Sequence, residues 1–427
     1  ESTMHQIISR YVVIVAFGMV WLGLPGPLPA QPTDTTEPAL ELLPLIQEAI
    51  QQNPEIAATH EQVLAMKERA PQVGALTDPE LKVQLWNTPD SLNVTKTQTV
   101  IYGVAQQFPF PGLLSKKAEV ATREADQAEQ RVAAKVREIT AAVKTAFFEL
   151  LFAHKAIEVH HEQQKLLRQF FDIANAKYGV GTRTQVDVLR AQVELSKISQ
   201  QLPVLNQQRE TAQAHLNTIL DRDPHAPLGI PRAPHPQPLT RSLEELQAHA
   251  LRLRPELQEA DLAVTRFQSA TQLAKLQYYP HLRVELQRWQ NYNTNDGFGG
   301  NVMVNIPFAF WTKPKYDAGV RQAAAQVRSA QAKQQTLVTL TRFQVKDLVV
   351  QIQATQEVLE LYRTTVLPQA QQVLQAAHAG YRTDRTDFLD LIDAERALIT
   401  FRLEYIRALV NREQQVAKLE RVLGADL

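Results

Sequence analysis

The sequence contains no cysteine among its 427 residues. That absence excludes disulfide bonds, cysteine metal sites, thiol catalysis and a lipid anchor attached through an N-terminal cysteine. A net charge is lacking too, because 45 basic residues balance 45 acidic ones. Nucleic-acid-binding proteins usually show a basic excess or stripe, so this balance argues against a nucleic-acid partner.

Glycine is scarce, with 15 residues, and between residues 113 and 202 there is no proline and no glycine besides Gly179 and Gly181. This pattern predicts one very long helix, a tight turn at residues 179–184 and a second helix running back. Residues 113–178 would measure about 100 Å as a helix at 1.5 Å per residue. No compact domain holds such a helix, and apolar spacings of three and four favour coiled-coil packing.

Long apolar runs are also missing, except for the uncharged residues 11–24, which follow Arg10. That run is shorter than the roughly 20 residues that span a bilayer. We predict a secretory signal peptide over residues 1–30, cut near Ala30; the alternative is an N-terminal membrane anchor. Since no later run is long enough for a transmembrane helix, a mature chain that spans a membrane would do so as a closed β-barrel.

The sequence does contain an internal repeat, in which several landmarks occur twice in the same order. The stretch YGVGTRTQVDVL that starts at Tyr178 returns as YRTDRTDFLDLI at Tyr381, 203 residues later. Ordered landmarks at a nearly constant spacing indicate an internal duplication. The other landmarks are three prolines that return after 198 to 201 residues: Pro54 as Pro255, Pro79 as Pro280 and Pro109 as Pro307.

The duplication predicts two structural repeats, each with a strand pair and a long helical hairpin. The first repeat covers residues 31–220, with strands at about 80–108 and a hairpin at about 113–220. A connector, residues 221–240, leads to the second repeat, residues 241–427, with strands at about 281–308 and a hairpin at about 315–423. Within this second strand pair we predict a Gly/Asn loop at residues 291–300 and the last strand at 301–308.

Four strands per chain cannot close a membrane barrel, because known barrels begin at about eight strands. A secreted chain with an open four-stranded sheet is therefore expected to pair with copies of itself. Three copies would give about twelve strands and, by the same symmetry, a ring of about twelve helices. The sequence thus predicts a pore that continues as a helical tube.

Several of these features resemble the TolC family of outer-membrane efflux channels. They are the duplicated layout, the turn sequence at residues 178–184 followed by Asp187, and the two strand pairs that end in proline. The segment QFPFPG at residues 107–112 is similar to the heavy-metal cation efflux branch. The resemblance covers nearly the whole chain after residue 30. Many relatives carry a lipidated N-terminal cysteine, however, and this chain has no cysteine.

The resemblance implies a mainly α fold with a β-barrel: an internally duplicated protomer with four strands plus long helical hairpins. It implies a homotrimer that forms a 12-strand outer-membrane barrel and a periplasmic α-helical barrel. It also implies an inner-membrane RND-type pump and a periplasmic membrane-fusion adaptor as partners, contact with outer-membrane lipid, and no cofactor. The expected function is passive export. The resemblance to the heavy-metal branch implies that the exported substrates are heavy-metal cations.

The resemblance further implies functional residues at the two turns. In relatives, aspartates here ring the periplasmic entrance and favour cations, and other side chains form bonds that restrain opening. The corresponding entrance aspartates are Asp187, Asp390 and Asp393, and the corresponding gate residues are Tyr178, Arg183, Tyr381 and Arg385. The alternative is that the aspartates cap or neutralise helix starts and that the other four are exposed turn residues. The second turn departs from the first in having Asp384 and Arg385 in place of Gly181 and Thr182.

No residue pattern indicates an enzyme or a bound metal. His154, His160 and His161 lack the i, i+4 spacing of a helical metal site, so we expect packed or solvated histidines. Gly179 and Gly181 lack the third glycine and the preceding strand of a dinucleotide-binding loop. Two other functions stay open: a duct of the same fold for proteins or drugs, and a periplasmic coiled-coil scaffold that forms no channel.

Overall fold

The computed structural model describes residues 39–88, 97–233, 238–292 and 294–427. The predicted signal peptide, residues 1–30, lies outside the described residues, as do residues 234–237 of the connector. Within the described ranges, no helix combines the length and the apolar composition needed to cross a membrane.

The described residues form ten α-helices. Five of them precede a strand pair: α1 (Leu42–Gln52), α2 (Pro54–Lys67), α3 (Arg69–Gly74), α6 (Leu243–Leu253) and α7 (Pro255–Leu276). The other five form the two hairpins: α4 (Leu113–Gly179), α5 (Gln185–Ile219), α8 (Lys313–Leu361), α9 (Leu367–Arg382) and α10 (Phe388–Leu423). A π-helical segment, Tyr362–Val366, joins α8 to α9.

Helix α4 has 67 residues and is therefore about 100 Å long. It starts after Gly112, which has a φ of +87°, and ends at Gly179, so both ends fall at the residues that least favour a helix. Helix α5 packs along it and α10 packs against both α4 and α8. The buried seam contains aromatic and aliphatic side chains such as Phe147, Leu151 and Leu216.

The sheet has four antiparallel strands in the order β1-β2-β3-β4. They are β1 (Glu80–Trp86), β2 (Thr99–Phe108), β3 (Leu282–Asn291) and β4 (Gly297–Val304). The strand pair near residue 100 and the pair near residue 290 join through β2 and β3, with Thr99 opposite Asn291 and Phe108 opposite Leu282. Strands β1 and β4 lie at the two edges of this sheet.

The position of β4 corrects the sequence prediction. The predicted loop at residues 291–300 is too long, and the predicted strand at 301–308 starts and ends four residues too late, because β4 covers Gly297–Val304. Its glycines allow close approach: a Cβ on Gly299 would come within 3.0 Å of the Trp289 ring on β3. The glycine run therefore belongs to the strand, where it accommodates a tryptophan of the neighbouring strand.

Candidate functional site

The two turns that close the hairpins have similar backbones. Turn 1 is residues 180–184, between α4 and α5, and turn 2 is residues 383–387, between α9 and α10. Gly181 and Asp384, which are 203 residues apart, both have left-handed φ angles, of +77° and +62°. Each turn also has a backbone hydrogen bond that spans five residues: Thr182 to the Lys177 carbonyl, 3.0 Å, and Arg385 to the Gly380 carbonyl, 2.9 Å.

The side chains of turn 1 and its preceding helix donate to acceptors of turn 2. The Arg183 guanidinium donates to an Asp387 oxygen at 3.0 Å, to the Thr386 carbonyl at 3.0 Å and to Asp384 at 3.2 Å. Lys177 Nζ donates to the same Asp384 oxygen at 2.6 Å. The hydrogen bond from Lys177 lowers the pKa of the Asp384 carboxyl, which favours its ionised form. Two cations from one hairpin thus hold two carboxylates of the other.

Tyr381 fills the space beneath these ion pairs. Its side chain is fully buried, and its ring lies edge-on to Phe388 with 5.3 Å between centroids. The Lys177 and Arg183 cations lie 5.4 and 5.5 Å from the centre of the tyrosine ring. The hydroxyl lies 3.5 Å from a carboxylate oxygen of Asp187, which is itself buried. Burial, reinforced by the Asp187 charge, raises the pKa of Tyr381 to about 12, so its hydroxyl keeps its proton.

The other sequence-predicted residues lie outside this cluster. Tyr178 is half-exposed, and the exposed Arg385 side chain forms no ion pair with any residue that the structure describes. Asp390 accepts a hydrogen bond at 3.3 Å from the backbone of Asp387, as a helix-capping residue does. Asp393 pairs with Arg396 at 3.2 Å. The structure therefore brings together Arg183, Asp187 and Tyr381 of the seven predicted residues.

Sequence reasoning missed several partners in the cluster, including Lys177, Asp387 and the role of Asp384. One signal was available. Asp384 occupies the position that Gly181 occupies in turn 1, and a residue other than glycine at a left-handed φ is uncommon. Gly380 is constrained in a different way, because a Cβ there would come within 2.7 Å of the Thr386 side chain.

A buried carboxyl lies on α10 beyond the turns. Glu395 is fully buried, and neither of its carboxylate oxygens has a hydrogen-bond partner among the described residues. Burial raises the pKa of this carboxyl to about 7, and the neighbouring Gln163 amide on α4 offsets the rise only in part. Gln163 in turn contacts the buried His160 imidazole at 2.9 Å. No group of three or more metal-binding side chains occurs in the described parts of the chain.

One face of the sheet is apolar and exposed. Residues directly opposite each other on neighbouring strands have their side chains on the same face of the sheet. Leu81 lies opposite Val104, and Val104 lies opposite Leu286, so all three are on one face. The exposed apolar residues of this face are Leu81, Val83 and Leu85 on β1, Tyr102, Val104 and Phe108 on β2, Leu282 and Leu286 on β3, and Phe298, Val302 and Val304 on β4. An exposed apolar patch of this extent marks an interaction with protein or membrane.

The opposite face of the sheet is polar. Lys82 on β1 forms an ion pair with Glu285 on β3 at 3.3 Å, and this pair reaches across β2, which lies between the two strands. Glu80 on β1 forms an ion pair with Arg283 on β3. Gln287 donates a hydrogen bond to Glu285 at 2.8 Å. The sheet thus separates an apolar surface from a charged surface, as the wall of a water-filled membrane barrel does.

Comparisons with known proteins agree with these features. The family model for outer membrane efflux proteins matches residues 45–222 and 246–425. The chain is 22% identical over 363 residues to the cobalt-zinc-cadmium resistance protein CzcC of Cupriavidus metallidurans, covering 83% of this chain and 82% of that protein. Its fold is similar to that of the outer-membrane channel OprN, with a TM-score of 0.76, 17% identity and 90% of each chain covered. CusC, whose structures describe folding and transmembrane channel formation, gives a TM-score of 0.74 and 17% identity over 91% of this chain and 93% of CusC.

Proposed function

Because the chain belongs to the outer membrane efflux protein family, we propose that it is the outer-membrane exit duct of a tripartite efflux system. In this proposal it conducts substrates passively from an inner-membrane RND-type pump and a periplasmic membrane-fusion adaptor to the exterior. The observation that carries the proposal is the two-faced sheet, apolar on one side and charged on the other, attached to long helical hairpins of which α4 alone measures about 100 Å.

The sheet edges support a homotrimer as the working unit. Strands β1 and β4 lack a second neighbour among the described strands, and open edges are liabilities unless they pair. Pairing β1 of one copy with β4 of the next in three copies closes a barrel of about twelve strands. The same arrangement places the hairpins side by side as a helical tube that extends into the periplasm.

Cysteine cross-linking tests the trimer, and the cysteine-free chain suits it. Val83→Cys on β1 would be combined in turn with Phe298→Cys, Gly300→Cys and Val302→Cys on β4. We expect at least one pair to give disulfide-linked dimers and trimers on oxidation in the membrane. A uniformly monomeric result, together with a monomer in detergent sizing, would contradict closure by copies of the chain.

Conductance through a planar bilayer tests the channel itself, and two adjacent residues provide matched variants. Leu81 lies on the apolar face and Lys82 on the polar face. We expect Leu81→Lys to reduce membrane assembly, because a charge facing lipid costs roughly 2–4 kcal/mol at mid-depth. Lys82→Gln should assemble normally and raise cation preference. A purified protein without ion conductance would instead favour a periplasmic coiled-coil scaffold.

The turns are the proposed gate at the periplasmic entrance. The contacts of Arg183, Asp187 and Tyr381 support a closed state in which turn 1 and turn 2 hold each other. Exposed ion pairs contribute only roughly 0–1 kcal/mol each, so a partner protein could displace them. The proposed entrance residues are Asp187, Asp390 and Asp393, and the proposed gate residues are Tyr178, Arg183, Tyr381 and Arg385.

The proposed substrates are heavy-metal cations, and their support is the similarity to CzcC. A strain that lacks the gene should then become sensitive to cobalt, zinc or cadmium, and the intact gene should restore growth. Sensitivity to dyes or antibiotics with unchanged metal tolerance would favour a drug-export duct, and loss of a secreted protein would favour a protein-export duct.

A further inference from the structure

The segment that joins β4 to α8 exposes an unusual set of apolar side chains. We call residues 305–312 the elbow. Phe310 and Trp311 are 83% and 71% exposed and contact each other edge-to-face at 4.6 Å, and Ile306 and Phe308 are also exposed. The corresponding segment after β2 is different, because its Phe110 stacks on Tyr279 at 4.2 Å. Of these two segments, the elbow is the one that exposes its aromatic side chains.

The elbow continues the apolar face of the sheet. It begins where β4 ends, directly after the exposed residues Val302 and Val304. Two exposed lysines follow at the start of α8. Lys313 lies 3.6 Å from Asp317, and the Lys315 cation lies 5.5 Å from the Tyr316 ring. Along the chain, the surface therefore changes from aliphatic to aromatic to cationic within a few residues.

We propose that the elbow is a membrane-interface anchor for anionic phospholipid, resting on the proposed function that embeds the sheet in a membrane. Amphipathic rings such as Trp311 prefer the boundary between acyl chains and headgroups. Lys313 and Lys315 then face the lipid phosphates, with their stems along the apolar layer. The lysines favour lipid over a second copy as the occupant, because lysine is depleted at protein–protein interfaces.

Tryptophan fluorescence tests the anchor. The chain has four tryptophans, and replacing Trp21, Trp86 and Trp289 with Phe leaves Trp311 as the reporter. The protein would be reconstituted in phosphatidylglycerol brominated either near the headgroup or near the chain end. We expect stronger quenching by bromine near the headgroup. Two outcomes would overturn the proposal. In one, aqueous iodide quenches Trp311 and the brominated lipid does not, which means that the ring is in water. In the other, neither reagent quenches Trp311, which means that a second copy of the chain covers it.

A second reporter separates failure of the anchor from failure of the channel proposal. Leu286 lies in the middle of β3 on the apolar face, so Leu286→Trp in a background without other tryptophans reports insertion of the sheet. If Leu286→Trp is quenched by deep bromine and Trp311 by none, the anchor alone is wrong. If Leu286→Trp is not quenched, the embedded sheet is wrong. Should Trp289→Phe impair folding, the quenching lost on Trp311→Phe in the otherwise native chain gives the same readout.

The lysines have their own control. With Trp311 as reporter, brominated phosphatidylglycerol should quench more than brominated phosphatidylcholine at equal mole fraction. Lys313→Gln and Lys315→Gln should each reduce this preference about fivefold. Lys333→Gln removes an exposed charge on the same helix about 30 Å further along and should change nothing. If all three variants keep the same preference for phosphatidylglycerol, the proposed contact between the two lysines and the lipid phosphates is wrong.

Discussion

Turn 1 and turn 2 have the same backbone but opposite side-chain environments. Tyr178 is 45% exposed, whereas its counterpart Tyr381 is 0% exposed, although the two are the same residue at the same place in duplicated sequences. The difference arises from neighbouring side chains. Asp384 supplies a carboxylate where turn 1 has Gly181, and Gly380 leaves room for Thr386 where turn 1 has Lys177. The two turns thus share a backbone conformation, while their side chains make turn 1 a hydrogen-bond donor and turn 2 an acceptor.

The largest expected effect is the difference in stability between variants that lack one or the other of these two tyrosines. Tyr381→Ala removes a fully buried ring and should cost roughly 3–5 kcal/mol of stability, as aromatic truncations in cores do. Tyr178→Ala should cost well under about 1 kcal/mol. Thermal melting of the two purified variants in detergent measures the difference. Equal melting temperatures would mean that the two tyrosines have similar environments in the assembled protein.

The second expected effect concerns Glu395, whose counterpart 203 residues earlier is the exposed Gln192. Burial raises the pKa of Glu395 from 4.5 to about 7, so the folded state favours its protonated form. This contribution to stability is complete below pH 4.5 and is lost as the pH rises through about 7. We expect the wild type to melt at a lower temperature at pH 8 than at pH 5, and Glu395→Gln to reduce that difference. Gln192→Glu, at the exposed site, is the control and should add no such dependence.

The third prediction tests whether the contacts between the turns hold the entrance shut. Arg183→Ala removes three hydrogen bonds to turn 2, and exposed ion pairs contribute roughly 0–1 kcal/mol each. Single-channel recordings should therefore show a higher open fraction, by about two- to tenfold for each subunit that loses these bonds. Arg382→Ala removes an exposed arginine at the end of α9 that forms no ion pair with the described residues, and it should have no effect. Identical traces for the two variants would place the gate elsewhere.

Much of this fold could be predicted from the sequence, because breakers and periodicity act locally. The absence of proline and glycine over α4 predicts a helix about 100 Å long, and the 203-residue offset predicts a second turn. The start of β4 could not be predicted, since Gly299 reads as a loop residue until Trp289 of the neighbouring strand is placed against it.

Side-chain pairing at the turns was less predictable for the same reason. Arg183 and Asp384 are 201 residues apart, and nothing local indicates that they meet. The two tyrosines hold the same position in the repeated pattern, so the sequence alone predicts the same environment for Tyr178 and Tyr381. Their different burial depends on which hairpin lies across each turn, which is a long-range property of the packed helices.

The smallest expected effect concerns the aspartates after the turns. Asp390 and Asp393 are exposed and three residues apart, so they share a face of α10. Replacing both with Ala should lower cation preference, measured as a shift in reversal potential under a salt gradient. Asp187→Asn is the matched variant on α5; because Asp187 is buried beneath Tyr381, it should change that potential less. An unchanged potential in the double variant would remove these aspartates from the ion pathway.

The π-helical segment Tyr362–Val366 changes the rotation of α9 about the helix axis relative to α8. Leu359 and Leu374, both buried, are 15 positions apart, which at about 100° per residue would rotate one roughly 60° from the other. A π turn takes up an additional residue, so these 15 positions advance the helix about as far as 14 α-helical residues would, which leaves roughly 40° between the two leucines. Deleting one residue from this segment should thus convert it to ordinary α-helix without rotating Tyr381 away from its place. The segment thus sets the rotation of α9 relative to α8, and with it the direction in which the second hairpin presents turn 2.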